Sequence, residues 1–220
     1  MCKILIKLKN IRKNYQNHCV LVNVNLDIYE GDFLMIIGKS GSGKSTLLNI
    51  IATLEKYDSG SIEYSQFLFE KSRNLNSLRG RNFGFVFQNY NLVEYLTMVE
   101  NITLWRKKFD TETIHPYVYD IIKSLELTRL IKTPISKMSG GEKQRVAFAR
   151  AVVSNPSVIF ADEPTGNLDN YNKNIIMRLL SDEQKKGKTV IMVTHDLSLI
   201  KYATHVYVLE SGEIKAYDNL

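Results

Sequence analysis

The 220-residue sequence predicts an α/β protein with a mostly parallel sheet at its core, an N-terminal antiparallel β part and a helical insertion. Three observations predict this. First, the short continuous apolar runs "FLMII" (33–37), "VIFA" (158–161) and "TVIMV" (189–193) have the length and composition of strands covered on both faces. Second, segments of helical spacing alternate with these runs, as parallel neighbours require, because a parallel pair is joined by a crossover. Third, "GKSGSGKST" (38–46) is a glycine-rich loop set between one such strand and a helical segment.

At the N-terminus, Ile4, Ile6 and Leu8 alternate with Leu5, Lys7 and Lys9. Val22, Val24, Leu26 and Ile28 then alternate with Asn23, Asn25 and Asp27, the period of a sheet with one wet face. "YEGDF" turns the chain into the first buried strand, and "STLLNIIATL" (45–54) follows the glycine loop as a helix. After Gln88 the period changes. "NYNLVEYLTMVENITLW" (89–105) and "YVYDIIKSLELTRLI" (117–131) place apolar residues three and four apart, as at Val118, Ile121, Ile122 and Leu125. Residues from about 88 to 135 are therefore expected to form a helical subdomain within a single domain whose core comprises 1–87 and 136–220. "KQRVAFARAVVS" (143–154) reads as a helix closed by "NPS", and "NKNIIMRLLSDEQKK" (172–186) as a helix stopped at Gly187. The tail "HVYVLESGEIKAY" (205–217) reads as a hairpin about a Ser-Gly turn.

Composition narrows the function. The net charge of +6 is spread along the chain, which suits a solvated surface and anionic ligands better than a nucleic-acid groove. It also suits a surface facing an anionic membrane leaflet. Cys2 and Cys19 form no CxxC and have no metal-spaced histidine, so neither zinc nor a disulfide framework is expected, and the compartment reads as reducing. No apolar run approaches the roughly 18 residues of a membrane span, and "MCKILIKLKN" lacks the features of a signal peptide. The chain is expected to be soluble by itself, with any membrane role coming through a partner.

Two segments carry the chemistry of a nucleoside triphosphatase. Gly38, Gly43, Lys44 and Ser45 match G-x-x-x-x-G-K-[ST]. Gly38, Gly41 and Gly43 let consecutive backbone N–H groups face phosphate oxygens. Lys44 neutralises the β- and γ-phosphates, and the Ser45 hydroxyl can ligate Mg2+. Lys39, Ser40, Ser42 and Thr46 complete the loop, Lys39 reading as an exposed neighbour of the motif lysine. At the end of "VIFADEP" (158–164), Asp162 supplies the metal-side acid and Glu163 can polarise the attacking water. A second helix start, "MSGGEKQR" (138–145), presents Ser139, Gly140, Gly141 and Glu142 with backbone N–H groups suited to another anion.

This order of motifs, with "SGGEKQR" shortly before the "DE" strand, resembles the ATP-binding cassette (ABC) family from Tyr15 to His195. The resemblance implies a P-loop ATPase fold, ATP and Mg2+ as cofactors, and further roles. Tyr15 would stack on adenine. Gln88 would reach the metal and the attacking water, and its loop would sense a membrane subunit. Asp169 of "GNLD" would cross between subunits, and His195 of "VTHD" would contact the γ-phosphate. His18, His115 and His205 match nothing. The catalytic set implied is Glu163, His195, Lys44 and Gln88, and the metal set is Ser45, Gln88 and Asp162. The resemblance also answers why one chain needs two phosphate cradles. Two copies pack head to tail, and ATP lies between loop 38–46 of one and Ser139, Gly140 and Gly141 of the other.

"GFVFQNYNL", "SGGEKQRVAFARA" and "DEPTGNLD" are similar to the branch serving lipoprotein release and macrolide or antimicrobial-peptide export. Residues 65–81 lack the branch's usual glycine turn, and the region from 105 to 117 is short. The expectation is an ATPase subunit at the cytoplasmic face of the membrane, energising export of a peptide or hydrophobic compound through a separate permease. A division-type ATPase driving mechanical signalling is the alternative. The permease would dock near Gln88, Tyr90, Leu92, Val93 and Tyr95. A GTPase is disfavoured by the lack of an Asn-Lys-x-Asp element, and a ribosome- or DNA-directed ABC protein by the single cassette without heptads.

Overall fold

The computed structural model describes residues 3–16, 18–69, 74–104 and 114–217. Strand β1 (Ile4–Tyr15) pairs antiparallel with β2 (His18–Tyr29) on one edge. Its other edge pairs with β4 (Ser59–Tyr64). Between them in the chain, β3 (Phe33–Ile37) leads through the glycine loop into α1 (Lys44–Ile51). The alternation in β2 differs from that expected. Val24, Leu26 and Ile28 face inward, but Leu21 is buried while Val22 is 40% exposed. The register shifts by one residue between the Ile11–Val24 and Lys13–Leu21 pairs, and this bulge inverts the faces beyond it.

Three elements lacked a sequence signal. β4, "SGSIEY", is a largely exposed edge strand with no apolar alternation. α2 (Gln66–Phe69) is a single turn, and α3 (Leu75–Asn82) buries only Leu78 and Asn82. α3 is started instead by an Asn74–Ser77 capping box.

Strand β5 (Phe83–Phe87) precedes the segment expected to be helical from residue 89. Helix α4 spans only Met98–Thr103. Tyr90 and Asn91 adopt left-handed φ values of 59° and 51°, which no helix tolerates, and the Thr97–Glu100 capping box fixes the later start. The end of that expected helix at Trp105, and most of the short region after it, lie outside the described residues. Helix α5 (Pro116–Ser124) begins with proline at its first position. Helix α6 (Gly140–Val152) begins within the expected "MSGGEKQR" helix start, capped by Ser139, and packs against both β5 and α4. β6 (Val158–Asp162), α7 (Asn170–Lys185) and β7 (Thr189–Thr194) follow. The chain closes with the expected hairpin of β8 (His205–Glu210) and β9 (Glu213–Ala216), turning through Ser211 and Gly212 at φ 50° and 79°.

The main sheet has the order β5-β6-β7-β3-β8-β9, with every pairing parallel except β8–β9. Every residue of β3 is buried because the sheet is covered on both faces. Phe33, Met35 and Ile37 join the core that includes α6 and α7 residues, whereas Leu34 and Ile36 join the one formed with α1 and the antiparallel sheet. Parallel strands present their carboxyl ends at one edge. The glycine loop after β3, Gln88 after β5, Glu163 after β6 and His195 after β7 therefore emerge together, where open α/β sheets bind ligands. Among the described residues no helix is long and apolar enough to cross a membrane.

Candidate nucleotide site

A cleft of about 510 Å³ lies at this edge, lined by Ser40, Gly41, Gly43, Lys44, Ser45, Thr46, Gln88, Glu163, His195 and Val20 of β2. The loop needs glycine at two places for want of space. A Cβ at Gly38 would lie 2.5 Å from the Leu209 carbonyl oxygen, and one at Gly43 would lie 2.8 Å from Val20 Cγ1. Lys44 is only 6% exposed. Its ammonium donates to the carbonyls of Gly38 and Lys39, both at 2.9 Å, so the positive charge sits beneath the curled loop. Lys39 is exposed, as expected.

The acids follow from the end of β6. Ser45 Oγ donates to Asp162 Oδ1 at 2.8 Å. Burial raises the Asp162 carboxyl above its ordinary value, the nearby Glu163 charge adds to this, and the Ser45 hydrogen bond and Lys44 oppose it. Glu163 sits at φ 45°, with Oε1 3.0 Å from Nδ1 of His195 and Oε2 accepting from the Thr194 hydroxyl at 3.1 Å. Gln88 reaches toward Gly166, where an added Cβ would lie 3.2 Å from its Nε2. Among the described residues no group of three or more His, Cys, Asp or Glu converges as a metal cage. The Ser45–Asp162 pair instead offers two hard oxygens beside a phosphate loop. That donor set fits Mg2+, which takes one or two protein oxygens and completes its shell from phosphates and water.

Tyr15 lies just outside the lining residues, 43% exposed. Its hydroxyl bonds to the Glu55 carboxylate, and Lys13 sits 4.9 Å over its ring while pairing with Glu55 at 3.1 Å. Desolvation and then the Glu55 bond push its phenol pKa upward.

Ser139, Gly140, Gly141, Glu142 and Asp169 do not line this cleft; they form a second cluster. Ser139 caps α6, accepting from the Glu142 N–H at 3.4 Å, and the Glu142 carboxylate accepts from the Ser139 N–H at 2.7 Å and hydroxyl at 2.8 Å. One of the N–H groups read as available to an anion is thus taken by the chain's own carboxylate. Asp169 caps α7 and accepts from the Asn172 backbone at 2.8 Å and its side-chain amide, which hold its carboxyl below the ordinary value. Asn172 joins the two helices, accepting from Arg145 at 2.8 Å and packing so tightly on Gly141 that a Cβ there would come within 2.4 Å.

Sequence reasoning passed over Val20, Thr194 and Asn172. It also passed over Gln144, whose amide is buried and donates to the Pro164 carbonyl at 2.7 Å. Position beside a motif was the only signal for Thr194, which immediately precedes His195. Of the four apolar residues expected to meet a partner, Tyr95 is 83% exposed, and Tyr90, Leu92 and Val93 are half-buried.

A cleft made from a glycine loop, a serine–aspartate pair and a glutamate–histidine pair has the parts that an NTPase site needs, and the family model described as ABC transporter matches residues 21–166. The chain belongs to the ABC transporter family. It is an ABC ATPase. It is 38% identical to the lipoprotein-releasing system ATP-binding protein LolD of Buchnera aphidicola, covering 100% of both chains. It is 38% identical to the macrolide export ATP-binding/permease protein MacB of Haemophilus ducreyi, covering 96% of this chain and 31% of that larger protein. The dimeric post-hydrolysis structure of MJ0796 from Methanocaldococcus jannaschii, bound to ADP and Pi, superposes with a TM-score of 0.86 at 37% identity, covering 97% of this chain and 98% of that one. The expected family and export-type branch are those of these relatives.

Proposed function

We propose that this ABC ATPase binds ATP and Mg2+ between two copies packed head to tail and powers a separate membrane permease exporting a peptide or hydrophobic compound. The observation that carries the sandwich is the separation of the two phosphate-suited elements. Loop 38–46 lines the cleft, whereas Ser139, Gly140 and Gly141 lie outside it. A second copy turned by a two-fold axis supplies the missing corner, and Asp169 beside Asn172 is carried to the same interface. The relatives LolD and MacB, an ATP-binding protein of lipoprotein release and a macrolide exporter, support the export reading.

The residues have these roles. Gly38, Gly41 and Gly43 aim backbone N–H groups at the phosphates, Ser40, Ser42 and Thr46 extend the cradle, and Lys44 places its charge beneath the β- and γ-phosphates. Tyr15 stacks on the adenine. Ser45 and Asp162 would hold Mg2+, and Gln88 would reach it. When bound there, Mg2+ would supply positive charge to the phosphate oxygens. Glu163 accepts a proton or hydrogen bond from the attacking water, and His195 supports the γ-phosphate and steadies Glu163. Preorganised charge and positioning provide most of the acceleration. The protein works at the cytoplasmic face of the membrane, peripheral to its permease, and without nucleic acid. The face around Gln88 and the exposed Tyr95 receives the permease.

Because each site is built from two copies, specific ATPase activity should rise with protein concentration until the dimer saturates. Steady-state phosphate release measured across a hundredfold dilution checks this. A specific activity that stays flat throughout while the protein is monomeric overturns the sandwich.

A further inference from the structure

Thr194, the last residue of β7, is 0% exposed. A buried hydroxyl must find partners or carry a desolvation cost. It has two. The Asp196 backbone N–H lies 3.1 Å from Oγ1, and Oγ1 lies 3.1 Å from Glu163 Oε2. An amide N–H can only donate, so the hydroxyl accepts from Asp196 and its own proton is directed at the Glu163 carboxylate. The next residue, His195, places Nδ1 3.0 Å from the other carboxylate oxygen. Two consecutive residues therefore seat both oxygens of one carboxylate. The backbone beneath it is constrained as well: Glu163 lies at φ 45°, an uncommon conformation for a side-chain-bearing residue, with its N–H bonded to the Val193 carbonyl at 3.0 Å.

The amide that fixes Thr194 is itself held. Asp196 Oδ1 accepts from the Ser198 N–H at 3.0 Å and hydroxyl at 2.6 Å, and Oδ2 accepts from the Lys173 ammonium at 2.5 Å. Lys173 belongs to the first turn of α7, the helix capped by Asp169. A continuous set of bonds thus runs from the start of α7 through Lys173, Asp196 and Thr194 to Glu163.

We propose that Thr194 is a positioning residue for ATP hydrolysis. Its hydroxyl holds the Glu163 carboxylate in the orientation from which it meets the attacking water, and the Lys173–Asp196 pair sets that hydroxyl through the Asp196 amide. The inference rests on Glu163 acting on the water.

The test is a double-mutant cycle in steady-state ATPase kinetics, with Mg·ATP affinity measured separately by calorimetry. Thr194→Val keeps the shape and removes the hydroxyl; it should lower kcat by about 10- to 100-fold, the scale for losing a hydrogen bond to a charged group. Affinity for Mg·ATP should stay within about twofold, since no ground-state contact is lost. Thr194→Ser restores the hydroxyl and should restore most of the rate. In a Glu163→Gln background, Thr194→Val should change the residual rate by less than about twofold, because a group acting through Glu163 has nothing left to act on. Lys173→Met should lower kcat several-fold alone and not at all in that background, and it carries the test by itself if Thr194→Val does not fold. The proposal is overturned if the single effects multiply, if Thr194→Val or Lys173→Met is near native, or if Thr194→Ser is as slow as Thr194→Val. A near-native Glu163→Gln enzyme would instead refute the role given to Glu163.

Discussion

Asp162 illustrates how a single site residue trades stability against function. Burial raises its carboxyl pKa, so the folded protein holds the proton more tightly than the unfolded chain. The associated stabilisation is complete below the unfolded carboxyl pKa of about 4 and is lost as pH rises through the higher folded value. Ionising this half-buried carboxyl in the free protein therefore carries a net cost, which Mg2+ would offset. Asp162→Asn should raise the Tm of the nucleotide-free protein at pH 7 while abolishing the further rise that ADP with Mg2+ gives the native chain. A lowered Tm in the free variant, read by scanning calorimetry, would contradict this balance. The glycine loop, Asp162 and Glu163 were legible in the sequence because their pattern is itself the chemistry, a glycine loop between strand and helix and acids at a strand end; Gln88 and His195 were reached only through the family resemblance, and Val20 not at all. Thr194 and Asn172 were not legible either. A β-branched residue ending an apolar strand reads as core, and only the tertiary arrangement turns its hydroxyl toward Glu163 or places an asparagine amide between two helix starts.

At the scale of elements, helix starts are set by capping, and the sequence showed these unevenly. Ser139 with Glu142 forms a reciprocal cap on α6, so Ser139→Ala should cost about 1 kcal/mol, seen as a Tm lowered by about 2–4 °C, even without nucleotide. An unchanged Tm would mean that the hydroxyl serves only the ligand. Apolar periodicity alone placed a helix start at residue 89, whereas the left-handed Tyr90 and Asn91 and the Thr97–Glu100 cap delay it to Met98. The buried strands β3, β6 and β7 were legible because each is a short continuous apolar run rich in large or β-branched residues and ending in glycine or polar residues. The exposed edge strand β4 and the polar helix α3 were not, since neither buries enough to impose a period. The bulge that turns Val22 outward is a matter of pairing with β1, and it cannot be read from β2 alone.

Across the whole molecule, parallel order decides function. Four strands whose carboxyl ends share an edge bring together residues as distant in sequence as Lys44 and His195, while α6 and α7 carry Ser139 and Asp169 to a separate cluster. In the proposed sandwich, one chain holds two incomplete halves of a nucleotide site, and the dimeric structures of the relative MJ0796 show that such cassettes associate. In the proposed complex, ATP joins the lysine loop of one copy to the Ser-Gly-Gly corner of the other. Sedimentation velocity of the Glu163→Gln protein, with and without saturating ATP and Mg2+, tests it most directly. Adding ATP should shift the protein from monomer to dimer, except when Ser139 is also replaced by arginine. A monomer that persists at saturating ATP, or a dimer that forms equally well with Ser139 replaced, would contradict it.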